Sequence, residues 1–236
     1  MKVKTNDAKK LPTLHRFPVV TSTQDAARTL LDTGRARRGH IVVADEQTNG
    51  RGRYGRSWAS PAGGLYATLI VAPRPIPSLA CGVAIARALE ALGLRVDLKW
   101  PNDVESGERK MAGILVETVG DQLLIGIGVN LSDAPLPSAT STQEAGVDIR
   151  RGDLLLGIWQ HLEGGDPEDI LPAYRRLSTT IGRRVRITSE EGETIEGKAI
   201  DIDEEGRLLL QAAEGIASVA SGTCEHISPS ISKPAH

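Results

Sequence analysis

The hydrophobic pattern of this chain changes period at Gly182, and that change limits the folds open to it. Beyond Gly182 the apolar residues fall in five short runs, 184–188, 194–202, 207–211, 216–220 and 224–227, separated by glycines and acidic turns. Runs of this length are too short for helices, and their even spacing describes a small antiparallel β-barrel of about 50 residues. Before Gly182, helical and strand patterns are mixed. The expectation is therefore an α+β fold, with a mixed β-sheet flanked by helices over 11–181 and an all-β module over 182–232. A polar, Lys-rich tail over 1–10 precedes them.

Within the larger unit, Ser22 and Asp25 have the spacing of a capping box and Gly34 suits a helix end, so a helix is predicted from 22 to 31. Ser78 as cap and Gly93 as stop predict a second helix over 78–92. Two more are expected over about 151–162 and 167–178. Strands are expected over 40–44, 65–72 and 95–100, with a hairpin of 110–118 and 122–131 around Gly120-Asp121. With only three Trp, three Tyr and one Phe, the core must be built from Leu, Ile, Val and Ala.

A net charge of −2 gives no reason to expect nucleic acid or an anionic membrane as partner. Cys81 and Cys224 lie far apart, outside any CxxC spacing, which suits a reducing compartment and argues against a zinc site. No apolar run approaches ~20 residues and no signal-peptide core follows the Lys-rich start, so a cytoplasmic protein is expected.

The densest signal is Gly50-Arg51-Gly52-Arg53-Tyr54-Gly55-Arg56-Ser57-Trp58. Glycines let a backbone approach a ligand or move, and guanidinium groups match phosphate oxygens in a bidentate fork. The segment reads as a mobile anion-binding loop or as a solvated basic loop. It lacks the Gly-Lys-Ser/Thr ending of a phosphate-cradling Walker loop. A nucleic-acid module using this loop and the C-terminal β-unit is a competing reading, although RGG-like segments usually recur.

A second signal is Gly126-Ile127-Gly128-Val129-Asn130. Alternation along a strand puts Gly126, Gly128 and Asn130 on one face, with Ile125, Ile127 and Val129 on the other. Two missing side chains followed by an amide leave a slot with a polar end, or else admit a closely packed helix. Gly113 and Leu115 on the preceding strand would form the neighbouring wall.

Two further motifs complete an ordered set: Lys99-Trp100-Pro101-Asn102-Asp103, and Lys110-Met111-Ala112-Gly113-Ile114-Leu115-Val116-Glu117. Together the four motifs resemble the biotin–protein ligase family, which carries a GRGRxGRxW loop, a KWPND turn, a KxxGILVE strand and a GIGxN strand. The resemblance implies a class II synthetase-like catalytic domain followed by an SH3-like β-barrel. It implies activation of biotin with Mg-ATP to biotinyl-5′-AMP and pyrophosphate. Biotin is then transferred to a lysine of a biotin carboxyl carrier domain of a carboxylase.

By the same resemblance, Ser22, Thr23, Gln47, Gly50 and Arg51 contact the biotin head, where free N–H groups at the helix start would serve. Gly113, Leu115, Gly126 and Gly128 line its slot. Lys110, the family's central lysine, contacts both the carboxylate and the phosphate, with Arg53 as the second catalytic residue. Arg53, Arg56, Trp58, Asn102, Asp103 and Asn130 belong to the ATP site. Asp103 is the one protein ligand suggested for Mg²⁺, and it serves equally well as a turn residue after Pro101.

Strict alternation sets Lys110 on the face opposite Gly113, so the lysine must reach in from before the strand or across a bulge. Tyr54 stands where many relatives have a further arginine. Some relatives also carry an N-terminal winged helix-turn-helix. Barely ten residues precede the catalytic region here, so a monofunctional ligase is expected, with no repressor role. Many relatives are homodimers built through their sheets. The rivals are a lipoate–protein ligase or octanoyltransferase of the same fold, whose members lack the GRGRxGRxW loop, and a non-catalytic biotin or adenylate sensor.

Overall fold

A computed structural model describes residues 11–227; the expected tail at 1–10 lies outside them, as do residues 228–232 of the expected C-terminal unit. Twelve strands and four α-helices follow in the order β1 (Thr13–Val20), α1 (Thr23–Asp32), β2 (His40–Gln47), β3 (Leu65–Val71), α2 (Pro77–Ala91), β4 (Asp97–Lys99), β5 (Asp103–Ser106), β6 (Arg109–Val119), β7 (Gln122–Val129), α3 (Arg151–Gly164), α4 (Ile170–Leu177), β8 (Arg184–Thr188), β9 (Thr194–Ile202), β10 (Leu208–Ala212), β11 (Gly215–Val219) and β12 (Thr223–His226).

The first seven strands form one mixed sheet in the order β1-β2-β3-β7-β6-β5-β4. Only β1 and β2 run parallel. Its two faces have different partners. Ile41, Val43, Leu65, Ala67, Leu69, Ile125, Ile127 and Val129 join the large core formed with α2, α3 and α4. On the opposite face Val42, Ile70 and Leu124 pack with Ala27 and Leu30 of α1. α2 lies against both α3 and α4. A Cβ on Gly157 would stand 3.1 Å from that of Ala88, so this glycine permits the close crossing of α3 over α2.

The hairpin falls where the sequence placed it, with Val119 opposite Gln122 and Gly120 at φ +58°. Ser22 caps α1 by accepting from the Gln24 N–H at 3.2 Å. Two expectations are corrected. Ser78 is not the cap of α2: Ile76 holds that position, and the Ser78 hydroxyl donates to Pro101 O instead. Asp25 does not complete a capping box, because its carboxylate pairs with Arg51. The sequence pattern also missed β1, whose Pro and two basic side chains blur the alternation, and β5, which is only four residues long.

The last five strands form an antiparallel sheet in the order β11-β10-β9-β8-β12. The five expected runs appear to within a residue, but the sheet does not close, since its end strands β11 and β12 are not paired with each other. Its inner residues Val185, Ile187, Ala199, Ile202, Leu208 and Leu210 continue the large core of the first sheet. The Trp100 indole N–H donates to Gly206 O at 3.0 Å, fixing the turn before β10 against the helical layer.

His226 on β12 lies at this junction beside Lys99 and Arg183, and its buried Nε2 has no hydrogen-bond partner among the described residues. Burial, then the Lys99 and Arg183 charges, lower its pKa from 6.5 to about 4. The folded chain therefore keeps His226 neutral where the unfolded chain binds a proton. Stability contributed here is present above the unfolded pKa and is lost as pH falls from 6.5 towards 4. Urea denaturation at about pH 7 and about pH 5 should show this loss, and His226→Asn should reduce it. An unchanged pH dependence in the variant would place the effect elsewhere.

Candidate active site

Strand β7 crosses the middle of the sheet, and its glycine face opens toward the start of α1 and the Gly/Arg loop. The space above Gly126 is taken by Gln24, whose Cδ would lie 3.2 Å from an added Cβ. The space above Gly128 is taken by Trp58, with Nε1 2.4 Å from such a Cβ, and the same ring stands 3.0 Å from a Cβ on Gly113. The bare strand thus admits the first turn of α1 at Gly126 and the loop's own tryptophan at Gly128 and Gly113, which fills the expected slot. A cavity of about 160 Å³ surrounds this arrangement. It is lined from β6 and β7, the start of α1, the Gly/Arg loop, the turn after Trp100, and the β11–β12 connection.

Lys110 reaches this cavity across a bulge. Val104 pairs with Ala112 and Glu105 with Lys110, leaving Met111 as the extra residue. Met111 and Ala112 are both buried, and Lys110 returns to the side of Gly113, its Cε 3.4 Å from a Cβ built there. Its ammonium pairs with Asp103 at 2.6 Å and lies 5.3 Å from the Trp58 ring centroid. Asn102 staples the preceding turn to β6 by donating to Ile114 O at 3.0 Å, and its Oδ1 accepts from Arg53 at 3.3 Å.

Of the three loop arginines, Arg51 turns toward α1 and β6, and Arg53 and Arg56 turn toward the C-terminal sheet. Arg51 pairs with Asp25 at 2.8 Å and with Glu117 at 3.5 Å. Arg53 donates from Nη1 to Asn102 and to Gly222 O, the latter at 3.2 Å, and burial lowers its pKa from the ordinary guanidinium value. Arg56 donates to the Thr223 hydroxyl. The loop is therefore tied to α1 and β6 at one end and to the C-terminal sheet at the other.

At the helix start, Ser22 and Thr23 line the cavity, but their neighbourhood is already hydrogen-bonded. The Thr23 N–H donates to Gln47 Oε1 at 2.8 Å, and the Gln47 amide donates to the Ser60 hydroxyl at 2.7 Å. Free N–H groups are expected at the Ser22–Thr23 cap, but the N–H groups of Thr23 and Gln24 are both engaged. Gly50 does not line the cavity. It closes the loop base, accepting from the Trp58 N–H at 2.8 Å, and a Cβ there would meet Trp58 O at 2.4 Å.

The other residue left out is Asn130. It follows β7, is 3 % exposed, and donates its amide to Thr140 O at 3.0 Å, so the slot's expected polar end is turned into the core. Of the remaining expected residues, Arg51, Arg53, Arg56, Trp58, Asn102, Asp103, Lys110, Gly113, Leu115, Gly126 and Gly128 all border the one cavity.

Sequence reasoning missed Gln24, Gly222, Thr223 and Cys224, which border it too. Gln24 donates to Leu115 O at 3.3 Å, while among the described residues its buried Oε1 has no partner, nor does the buried Trp58 Nε1. Buried polar atoms without partners are rare and mark places where a ligand can satisfy them. Gln24 gave a faint signal as a polar residue in the first turn of a helix whose face meets a glycine strand. The Gly222–Cys224 segment gave none.

The arrangement defines a class of site, a glycine-faced strand, a lysine and three guanidiniums around one cavity, that suits an anionic ligand. Residues 16–130 match the Biotin/lipoate A/B protein ligase family, and residues 180–227 match the Biotin protein ligase C terminal domain. The chain is 43% identical over 217 residues to the biotin–[acetyl-CoA-carboxylase] ligase of Paracoccus denitrificans, covering 74% of this chain and 85% of that one. It is 34% identical over 212 residues to the enzyme of the same name from Mycobacterium tuberculosis, covering 80% and 79%. The solved structure of biotin protein ligase from Aquifex aeolicus in complex with biotin and ATP superposes with a TM-score of 0.80 at 30% identity, over 91% of this chain and 99% of that one. This chain belongs to the biotin–protein ligase family.

Because an alanine Cβ at position 128 would collide with the Trp58 indole, Gly128→Ala should expel that ring from the slot. The expected result is a red-shifted tryptophan emission together with biotin affinity lowered about tenfold or more. Unchanged emission and affinity would show that the strand can yield instead.

Proposed function

We propose that this chain is a biotin–protein ligase in which the cavity around Lys110 carries both half-reactions. A biotin carboxylate oxygen attacks the α-phosphorus of Mg-ATP, the bond to the β-phosphate bridging oxygen breaks, and biotinyl-5′-AMP and pyrophosphate result. An acceptor lysine amine then attacks the acyl carbon, AMP leaves, and the amine loses a proton. The acceptor in this reading is a biotin carboxyl carrier domain of a carboxylase. The observation that carries the proposal is the convergence of four distant motifs on Lys110, with the glycine slot on one side and Arg53 on the other.

Two anions must meet before the first bond forms, so fixed positive charge at the meeting point lowers the barrier. Lys110 supplies it, held by Asp103 at 2.6 Å. The slot over Gly113, Leu115, Gly126 and Gly128 is assigned to the biotin ring, which enters as Trp58 leaves the slot for the nucleotide side. Ser22, Thr23, Gln47, Arg51 and the loop base at Gly50 are assigned to its polar head, and the unpartnered Gln24 Oε1 supports adding that residue. Arg53 and Arg56 take the phosphates, with Asn102 orienting Arg53 and Trp58 placed beside the nucleotide. The structural hydrogen bond of Asn130 argues for removing it from the nucleotide set.

Among the described residues no group of three His, Cys, Asp or Glu side chains could hold a metal ion. The magnesium ion of this reading would be held mostly by phosphate oxygens, with Asp103, which borders the cavity, as its one protein carboxylate. The ion would neutralise phosphate charge and assist pyrophosphate departure.

The domain reading places the catalytic unit at 11–181 and the C-terminal unit at 182–232. A soluble cytoplasmic enzyme is part of the proposal; among the described residues no helix is long and apolar enough to cross a membrane. So is a homodimer, for which β1 leaves one edge of the first sheet open. A nucleic-acid role is disfavoured because Arg51, Arg53 and Arg56 each turn to a partner in the fold instead of forming an exposed basic stripe.

Pyrophosphate release from Mg-ATP, compared with biotin, lipoate, octanoate and no acid, tests the proposal. Release that depends on biotin alone is expected. Release with lipoate would move the activity to the sister ligases, and none with any acid would favour a binding role. Lys110→Ala and Arg53→Ala should each lower biotinyl-AMP formation by at least about a hundredfold, on the scale of a lost electrostatic contact to a transition state. Normal adenylate synthesis by Lys110→Ala would mean that the central cation is another residue.

A further inference from the structure

Tyr54 stands where the family resemblance places a further arginine, and it has no part in the proposed chemistry. Its backbone is left-handed, with φ 56° and ψ 38°, a conformation few non-glycine residues adopt. That turn brings the phenol back over the loop. Arg53 Nη2 donates to the Tyr54 hydroxyl at 2.7 Å. The Arg53 guanidinium carbon lies 4.7 Å from the ring centroid, and that of Arg56 lies 5.9 Å from it. One aromatic ring therefore serves both cations.

Two guanidiniums brought together repel, and the Arg56 charge does act against that of Arg53. An aromatic face carries negative charge density and attracts cations within about 6 Å, so the ring offsets that repulsion where a third arginine would add to it. Arg53 is directed on its other side as well, by Asn102 Oδ1 at 3.3 Å and Gly222 O at 3.2 Å. Its position is thus specified by acceptors from the loop, the Asn102 turn and the C-terminal sheet. Among the described residues the Arg56 side chain is held by the ring and by the Thr223 hydroxyl.

We propose that Tyr54 is a positioning residue that holds Arg53 and Arg56 together as one preformed clamp for the nucleotide phosphates, replacing a lost charge by fixed arrangement. The inference rests on the assignment of these two arginines to the phosphates. The clamp then acts on the nucleotide and on retention of the adenylate, and leaves the biotin slot untouched.

The test compares Tyr54→Phe, Tyr54→Leu and Arg53→Ala in the full chain. Four quantities are read: affinity for Mg-ATP, affinity for biotin, lifetime of the enzyme-bound adenylate, and melting temperature. Tyr54→Phe keeps the ring and loses the hydroxyl, so ATP affinity should fall about threefold. Tyr54→Leu loses both contacts and should weaken ATP by about tenfold or more and shorten adenylate lifetime, with biotin affinity unchanged. If Tyr54→Leu keeps parental ATP affinity and adenylate lifetime while Arg53→Ala loses them, Tyr54 positions nothing and the inference falls alone. Equal losses for biotin and ATP, with a lowered melting temperature, would show a structural role and also overturn it. If Arg53→Ala leaves ATP binding intact, the phosphate assignment itself fails and takes the clamp with it.

Discussion

The alternation of strand β7 separates what holds this molecule together from what it works with. Ile125, Ile127 and Val129 enter the layer of α2, α3 and α4, and each is nearly or fully buried. Gly126 and Gly128, on the other face, leave the backbone bare. A strand in the middle of a sheet cannot slip by one residue without exposing its apolar set and burying the other. The register that secures the core therefore also fixes the slot, and the neighbouring Gly113 opposite Gly128 widens it.

Charge is introduced into that slot from outside the regular ladder. The extra residue Met111 turns Lys110 back toward Gly113, which uninterrupted alternation would forbid. Bulges of this kind commonly re-aim a side chain near an active site. The cations around it are each matched: Lys110 by Asp103, Arg51 by Asp25 and Glu117, Arg53 by Asn102, Tyr54 and a main-chain carbonyl. Exposed pairs of this sort contribute little to stability. Their effect is to direct flexible side chains toward one place before any substrate arrives, which reduces the ordering required on binding.

The two sheets form one structure at this site. The large apolar core runs from the first sheet through Val185, Ile187 and Leu208 of the second, and Trp100 bonds across to Gly206. Gly222 and Thr223 consequently sit within reach of Arg53 and Arg56, some 170 residues away in sequence, at |i−j| of 169 and 167. The C-terminal sheet so contributes directly to the arginine end of the cavity.

Much of the architecture could be read from the chain alone, because it is written in local chemistry. Ser22 as cap, the turn at Gly120-Asp121, the glycine face of β7 and the five short runs after Gly182 all depend on neighbours within a few residues. The family resemblance likewise lies in contiguous motifs. Other features depend on groups distant in sequence. Asn130 turns to Thr140 O once β7 has ended, Asp25 prefers Arg51 to its own helix end, and Trp58 folds into the slot. Gln24, Gly222 and Thr223 enter the cavity only because helix and sheet converge there. The sequence determined which backbone segments form and which chemistry they carry. The tertiary structure decided which side chains meet, since hydrogen bonds and ion pairs form between groups close in space, and closeness in space is set by packing.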